Sequence, residues 1–408
     1  MPEKDSFFIK PLSIPTDGLL NSELSKLKRY LKSESARLQK WHREGASGRE
    51  VCKARSQLLD ILLQAIFEWT LSTFEPQKKE RKIRISLVAI GGYGRAELNP
   101  YSDIDIMLLH NGSTSSLTQI FKHELIEKLT GPGGLIYTLY DLGMKVGHSV
   151  RNIQDAVNVA NDDMQTKTSL IESRIICGDQ KLFEQLTQRI ETKCVRNHIN
   201  SYLQMRIADQ DARRIKFGNS ALLQAPNIKN GCGGLRDYQN LLWMSHFKYG
   251  TRSLEELEEQ DMIRPNNRIQ LKEGYGFLLK VRNELHYQSN RPTDFLPKAL
   301  QPKVAWQLGY KDRSPARRLE AFMHDLYTHM RRIHLITRMI ERRLALRPKK
   351  ISRLPSLRKL FGGIKENEKL DGLIIINSEL VPSSTRIFKD KPQRLMQVFL
   401  HAQQRGLE

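Results

Sequence analysis

The segment that most constrains the fold is GGYGRAELNPYSDIDI, residues 91–106. It follows a β-prone run over residues 83–90 and leads into a second β-prone run over residues 104–109. A helical pattern over residues 118–129 and strand-like stretches within residues 136–150 come next. Strand, glycine turn, helical turn, strand, helix and strand in this order predict a small α/β unit.

The rest of the chain has a mostly helical pattern. Ser47 is expected to cap an N-terminal helix. The apolar face of that helix carries Val51, Leu58, Leu62 and Ile66. Downstream, the candidate helices cover residues 156–177, 180–217, 235–249, 271–290 and 316–346. A basic linker over residues 348–360 precedes a tail with one strand, residues 373–376, and one helix, residues 392–404. The sequence therefore predicts an α+β fold.

Asp103 and Asp105 give the first chemical signal. Residues i and i+2 of a strand project to the same face, so both carboxylates should point to solvent while Ile104 and Ile106 point to the core. Two like charges side by side repel each other unless a cation lies between them. Mg²⁺ is commonly held by one or two carboxylates together with substrate phosphates. A solvated strand end is the simpler alternative for an isolated Asp-x-Asp.

Gly91 and Gly92 stand directly after the first predicted strand. Glycine lets the backbone approach an anion closely, and the exposed amides at a helix start favour phosphate. A tight turn without a ligand is the alternative for a double glycine by itself. The combination of this turn with the acidic pair indicates a site for a metal and a phosphate far more specifically than either part alone.

The composition narrows the class of partner. The chain has 408 residues, with 66 Lys+Arg against 45 Asp+Glu and a formal net charge of +21. This surplus attracts polyanions such as nucleic acid, nucleotide phosphates, anionic lipid or an acidic protein. No apolar run reaches the length of a membrane helix, and the four separated cysteines do not form a disulfide framework. We expect a cytoplasmic protein with no membrane partner, and RNA stays open as a possible partner.

The joint motif resembles the signature of the DNA polymerase β nucleotidyltransferase superfamily, in which a double glycine precedes Asp-x-Asp and apolar residues. Other segments resemble the bacterial PII-protein uridylyltransferase/uridylyl-removing family, in the order of that family. They are GASGREVCKARSQLLDILL (45–63), LYDLGMKVGHSVR (139–151), PNIKNGCGGLRDYQNLLW (226–243), ELHYQSNRPTDFLPKALQPKVAWQLGY (284–310) and FMHDLYTHMRRIHLITRMIERRL (322–344). The likeness covers residues 45–408.

The resemblance implies a polymerase-β-like nucleotidyltransferase domain, a small mixed sheet with helices, beside a mostly α-helical domain. It implies Mg²⁺-dependent transfer of UMP from UTP to a tyrosine of a PII-type nitrogen regulatory protein, with release of pyrophosphate. The implied boundaries are 1–82 for an N-terminal arm and helices, 83–154 for the catalytic domain, 155–347 for the helical domain and 348–408 for a linker and tail.

The same resemblance implies roles for individual residues. Asp103 and Asp105 would bind the metal. The triphosphate would be held by Gly91, Gly92, Arg95 and Ser102. Lys229 and Arg236, in a second glycine-rich loop, are expected to add cationic contacts to the nucleotide. For that loop, packing between the two domains is the alternative.

A third carboxylate usually completes such a site, on a later strand. The predicted strand over residues 144–150 contains none, so Asp141 just before it is the candidate, with capping of a turn as the alternative. Ala96 and Cys232 replace a usual glycine and a usual proline of the family motifs. No segment resembles the family's HD phosphohydrolase or ACT domains, so we expect no uridylyl-removing activity.

Two further hypotheses remain open on the sequence. An RNA-tailing or other nucleotidyltransferase would use the same motif and the same basic charge. A non-catalytic regulatory scaffold would keep the fold without turnover, and the missing third carboxylate leaves room for it.

Overall fold

A computed structural model describes residues 7–15, 20–74, 84–112 and 124–345, and parts of 369–398. The chain divides into two compact units, Met1–Arg347 and Pro348–Glu408, which are described separately. Several sequence predictions fall outside the described residues. They are the linker over 348–360, the start of the helix predicted over 118–129 and most of the helix predicted over 392–404.

The first unit contains a four-stranded mixed sheet with the strand order β3-β2-β1-β4. The strands are β1 (Ile85–Ala89), β2 (Ile104–His110), β3 (Val146–Asn152) and β4 (Arg174–Gly178). β1 pairs antiparallel with β2 and β4, and β2 pairs parallel with β3. The α/β unit predicted around the double glycine is thus confirmed as a small mixed sheet.

Helices make up most of the first unit. In chain order they are α1 (Leu20–Arg43), α2 (Gly48–Ser72), α3 (Gly91–Gly94), α4 (Glu124–Thr130), α5 (Leu135–Asp141), α6 (Ile153–Asp162), α7 (Met164–Ile171), α8 (Gln180–Ile190), α9 (Ile199–Phe217), α10 (Leu235–Tyr249), α11 (Leu254–Glu259), α12 (Pro265–Ser289), α13 (Gln301–Gln307) and α14 (Pro315–Ala345). A π-helical turn, Glu191–Val195, continues α8.

The helix predicted over residues 156–177 is wrong as a continuous element. Asp163 ends α6 and caps α7, because its carboxylate accepts a hydrogen bond from Thr166 N at 2.6 Å. The chain then forms β4, which pairs with β1 at the edge of the sheet. Pairing with a strand that lies far away in sequence overrides local helical periodicity here. The sheet therefore continues beyond residue 154.

Ser47 begins α2 with a capping box, as its sequence position predicts. Its Oγ accepts from Glu50 N at 3.2 Å, and Glu50 Oε2 accepts from Ser47 N at 2.8 Å. The predicted apolar face is buried at Val51, Leu58, Leu62 and Ile66. Most of this face packs with α1, α5 and one side of the sheet in a single apolar cluster. Burial of such a face stabilises a helix more than its intrinsic propensity does.

The helices α10 to α14 form a second apolar core. Leu241, Leu278, Phe322 and Ile333 are among its fully buried side chains. This helical layer meets α2 closely, because a Cβ atom at Gly48 would lie 2.3 Å from Lys280 N of α12. The close approach holds the helical layer against the part of the unit that contains the sheet. Away from this contact, a cleft opens between the helical layer and the sheet.

The second unit has a small antiparallel sheet with β5 (Lys369–Leu370), β6 (Leu373–Ile376) and β7 (Glu379–Pro382), followed by α15 (Ile387–Asp390). The strand predicted over residues 373–376 is confirmed. Across both units, none of the helices in the described part of the chain combines the length and apolarity that a bilayer crossing needs.

Candidate functional site

A cleft of about 530 Å³ lies between the sheet and the helical layer. Its sheet side is the segment from the glycine turn to the start of β2, with α7 beside the turn, and its other side comes from α9, α10 and α12. It brings together eight residues that the sequence singles out, namely Gly91, Gly92, Arg95, Ser102, Asp103, Asp105, Lys229 and Arg236. Chain segments more than one hundred positions apart therefore meet at one site.

The acidic pair lies at the start of β2. Asp103 and Asp105 are exposed, while Ile104 and Ile106 are buried, as the alternation of a strand predicts. Partial desolvation and the charge of Asp103 raise the pKa of the Asp105 carboxyl, and the charge of Lys229 opposes that rise. Within the described residues, no cation lies at ion-pair distance from either carboxylate. The pair thus keeps an uncompensated negative charge.

The double glycine forms the short helix α3 directly after β1. Gly94 N is the first amide bonded back, to Ile90 O at 3.1 Å, so the amides of Gly91 and Gly92 precede the first bonded turn. Gly91 has a φ of +58°, which favours glycine, and a Cβ there would lie 3.9 Å from Asp105 Oδ2. The turn therefore places backbone donors, without an acceptor among the described residues, beside the acidic pair.

Arg95 is held by two carboxylates of the same cleft. Its Nε lies 2.8 Å from Glu97 Oε2, and its Nη1 lies 2.6 Å from Glu172 Oε2. These charge-assisted bonds fix the guanidinium at the wall behind the glycine turn. Sequence reasoning missed Glu97 and Glu172 as partners, although Glu97 lies within the motif itself.

Lys229 lies in the glycine-rich loop that precedes α10. Asn227 Oδ1 shapes this loop by accepting from Lys229 N at 3.1 Å and from Asn230 N at 2.7 Å. Burial and the neighbouring charge of Arg282 lower the pKa of the Lys229 ammonium to about 8, against an opposing effect of Asp294. Among the described residues, no carboxylate lies at ion-pair distance from Lys229. The loop holds a cation that an anionic ligand would stabilise.

Arg236 lies on the first turn of α10 with its guanidinium 5.0 Å from the ring centroid of Trp243. Burial, followed by the charge of Arg95, lowers the pKa of Arg236 to about 10. No carboxylate within the described ranges forms an ion pair with Arg236 either. Lys229 and Arg236 are therefore two unpaired cations in the cleft that contains the two unpaired carboxylates.

Asp141 is not brought to this cleft. It is the last residue of α5, it is exposed, and it does not line the cavity. The carboxylates that line the cleft besides the acidic pair are Glu97, Glu172, Asp209 and Asp294. All four accept from arginine side chains. The assignment of Asp141 as third carboxylate stays a prediction that the geometry does not favour.

Several cleft residues were missed by sequence reasoning. They are Arg206 and Arg213 on α9, Gln239 and Trp243 on α10, and Arg282 on α12. Arg282 is bound to Asp294 at 2.7 Å, and Arg213 to Asp237 at 3.4 Å. Such residues look like ordinary polar positions on a helix, so no local pattern separates them from a solvated face.

The donor set fits a magnesium ion only together with a substrate. Among the described residues, no group of three or more His, Cys, Asp or Glu side chains is placed to hold a metal. Two carboxylates on one face, with a raised pKa at Asp105 and no cation paired to either, are the oxygen ligands that Mg²⁺ shares with phosphates. The chemistry of the pair therefore suits a metal bound with a nucleotide rather than a closed protein site.

Two family models match parts of the chain. The GlnD PII-uridylyltransferase model matches residues 201–341, which include the Lys229 loop and α10 to α12. The glutamate-ammonia ligase adenylyltransferase model matches residues 18–125, which include the double glycine and the acidic pair. The two matches thus fall on the two walls of the cleft.

Curated relatives match nearly the whole chain. Bifunctional uridylyltransferase/uridylyl-removing enzymes are 29% identical over 90% of this chain in Rhodospirillum rubrum and 28% identical over 96% in Azospirillum brasilense. The enzyme of the same name from Caulobacter vibrioides is 29% identical over 89% of the chain. The chain spans 38%, 41% and 38% of the lengths of these three relatives.

The fold and the cleft define a class of protein. It is a mixed α/β protein whose cleft contains, among the described residues, unpaired cations and an acidic pair. The comparisons then show what the chain is similar to. The chain is similar to the PII uridylyltransferases over about nine-tenths of its length, which confirms the resemblance that its motifs predicted.

Proposed function

We propose that this chain is a Mg²⁺-dependent nucleotidyltransferase that transfers UMP from UTP to a tyrosine of a PII-type protein and releases pyrophosphate. One observation carries the proposal. Lys229 and Arg236, without ion-pair partners among the described residues, line the same cleft as the unpaired Asp103 and Asp105. A metal-bound triphosphate would bring phosphate charges to the two cations and a metal ion to the two carboxylates. The mixed sheet beside this cleft supports a polymerase-β-like fold for the domain.

The triphosphate would be bound mainly by groups that the fold already orients. The amides of Gly91 and Gly92 and the hydroxyl of Ser102 line one wall. The cations Lys229 and Arg236 line the other, and their partial burial strengthens an electrostatic interaction with phosphate. Arg95 is already bound to two carboxylates, so its main effect would be to keep the turn in place.

Asp103 and Asp105 would hold the magnesium. When bound, the metal neutralises charge that develops on the phosphoryl oxygens and on the leaving pyrophosphate. The protein would contribute by orienting the α-phosphate in line with the incoming tyrosine hydroxyl and by excluding water from it. The proton acceptor for that hydroxyl is left unassigned, because the carboxylates around the acidic pair are already bound to arginines.

ATP is a second candidate for the donor. The adenylyltransferase model matches the segment with the acidic pair, whereas the uridylyltransferase model matches the other wall. UTP is preferred because the curated relatives that match along the whole chain are named as uridylyltransferases. The comparisons name no enzyme that acts on RNA, so they lend no support to an RNA-tailing function.

The experiment incubates the purified chain with Mg²⁺, a PII-type protein and α-labelled UTP or ATP, and measures label on the protein. We expect label from UTP and none after removal of Mg²⁺ by a chelator or in the Asp105→Asn variant. Transfer from ATP alone would reassign the donor, and extension of an RNA primer would reassign the acceptor. Absence of any transfer would favour a non-catalytic scaffold. Preformed uridylylated protein, added in a parallel assay, should keep its label.

A further inference from the structure

Gln239 presents an unsatisfied hydrogen-bond acceptor at the wall of the cleft. The residue lines the cavity and its side chain is 5% exposed. Its Oε1 is buried without a hydrogen-bond partner among the described residues. An orphaned buried acceptor is costly in a folded protein. Its position at a ligand cleft therefore points to a ligand group that completes it.

A chain of hydrogen bonds fixes the orientation of this amide. The Tyr275 hydroxyl has one proton and donates it to Glu97 Oε2 at 2.6 Å. Its oxygen must therefore accept at the 2.9 Å contact with Gln239, which requires Nε2 on that side. Glu97 also accepts from Arg95 Nε at 2.8 Å. It is therefore an ionised carboxylate with no proton to donate to Tyr275. Gln239 Oε1 is consequently held as an acceptor.

Two arginines lie on the same wall of the cleft as Gln239. Arg236 lies one helical turn earlier on α10. Arg206 lies on the neighbouring α9, where its Nε donates to Asn240 Oδ1 at 2.7 Å and its Nη2 lies 3.4 Å from Asp209. Both guanidinium groups lie over Trp243, at 5.0 and 4.5 Å from its ring centroid. The wall of the cleft that carries Gln239 is therefore positively charged.

The nearby carboxylates, unlike Gln239 Oε1, already have hydrogen-bond donors as partners. Glu172 accepts from Arg95 Nη1 at 2.6 Å and from the indole Nε1 of Trp243. Asp209 lies 3.3 Å from Arg213 Nε. Among the described residues that line the cleft, Gln239 Oε1 is the one buried side-chain acceptor atom without a hydrogen-bond partner.

We propose that Gln239 reads the base of the bound nucleotide by accepting a hydrogen bond from N3–H of uracil. This inference rests on the proposed function and deepens it. The Watson–Crick edge of uracil has one donor, N3–H, between two carbonyl acceptors. Gln239 Oε1 can accept from N3–H, and Arg236 on the same wall can donate to a carbonyl. Adenine and cytosine instead pair an amino group with a ring acceptor, and guanine has two adjacent donors.

The test is equilibrium binding to the full chain, with Mg²⁺ and without a protein acceptor. The probes are UTP, ATP, 2′-deoxy-UTP and N3-methyl-UTP, the last of which lacks the N3 proton. We expect the wild-type chain to bind UTP at least tenfold more tightly than either other nucleotide. In Gln239→Met, which keeps the side-chain size without the acceptor, UTP should bind about tenfold more weakly. The preference over ATP should fall toward one.

Gln210→Met is the matched control. Gln210 is also a buried amide, 4% exposed, but it donates to Glu341 at 3.1 Å and does not line the cleft. It should keep the wild-type preference, whatever its effect on stability. An unchanged UTP/ATP ratio in a folded Gln239→Met variant overturns the inference and leaves the proposed function standing. A changed ratio of UTP to 2′-deoxy-UTP, with the base preference intact, would assign Gln239 to the ribose and also overturn it. Absence of binding by any triphosphate overturns both.

Discussion

Gly147 lies beside Asp105 across the parallel pair of β2 and β3. A Cβ atom at position 147 would lie only 2.5 Å from Asp105 Oδ1. Real Cβ atoms do not approach an oxygen so closely, so the edge strand leaves room for the carboxylate by having no side chain there. The position of one half of the acidic pair therefore depends on a glycine 42 positions later in the sequence.

Replacement of Gly147 by alanine should displace the Asp105 carboxylate. We expect transfer to fall at least tenfold (about 1.4 kcal/mol of transition-state stabilisation) while the melting temperature changes little, because position 147 is exposed. Gly276→Ala is the control, since a Cβ there would meet nothing within 4 Å. Equal activity of the two variants would contradict this role of Gly147.

Removal of the acidic pair should abolish transfer without loss of the fold. In Asp103→Asn and Asp105→Asn, we expect activity to fall at least 100-fold, about 2.7 kcal/mol. The stability toward urea should be unchanged or slightly higher at neutral pH, because each change removes a repulsion between like charges. Activity and urea midpoint are measured on the same preparations. A large drop in the urea midpoint would mean that the pair is structural.

Lys229 should make triphosphate binding depend on pH. Its pKa is lowered to about 8, so the free protein loses this charge as the pH rises through that value. We expect the dissociation constant of UTP to increase between pH 7.0 and pH 8.5, a range above the phosphate pKa of about 6 and below the pKa of Arg236. Lys229→Arg should remove that dependence, since arginine stays protonated. Lys229→Met should bind weakly at every pH in the range. A parallel pH profile in all three proteins would exclude Lys229 from the site.

Because of Glu341, the free energy of unfolding should decrease as the pH rises from acid to neutral. Glu341 is buried on α14, where desolvation and then the charge of Asp237 raise its pKa to about 7. The native state therefore binds a proton more tightly than the unfolded state, so the stabilising effect of that proton is lost between the unfolded pKa of about 4.5 and pH 7.

Glu341→Gln should remove this slope. The neutral amide can still accept hydrogen bonds from Asn240 and Gln210, which now bond to Glu341 Oε1 at 3.0 and 3.1 Å. We expect the variant to be more stable than the wild type at pH 8, by about 1–3 kcal/mol, and nearly equal at pH 5. Urea unfolding at the two pH values measures both. A variant that is less stable at pH 8 would show that the carboxylate is paired in the native state.

Ala96 has a left-handed backbone, with a φ of 56°. A left-handed conformation costs a residue with a Cβ about 1 kcal/mol relative to glycine. Ala96→Gly should therefore stabilise the chain by up to this amount. Thermal unfolding of the variant and the wild type measures the difference in stability. A lower melting temperature would show that the entropy of the added glycine outweighs the relief of strain.

The local part of the site could be predicted from the sequence, because it depends on neighbours in the chain. Asp103 and Asp105 share a face through the alternation of a strand, and the glycine turn precedes them directly. The capping box at Ser47 and the buried face of α2 likewise follow from short-range spacing. These features need only backbone geometry, which a few residues specify.

Only the tertiary structure decided the rest. β4 joins the sheet beside β1, although residues 174–177 continue a helical pattern, because strand pairing over a long separation outweighs local preference. Lys229 and Arg236 meet the acidic pair, and Gly147 makes room for Asp105, through contacts between distant segments. The free acceptor of Gln239 exists only because Tyr275 and Glu97 fix its amide. The sequence by itself determined which residue types carry the chemistry, and packing determined which of them face one another.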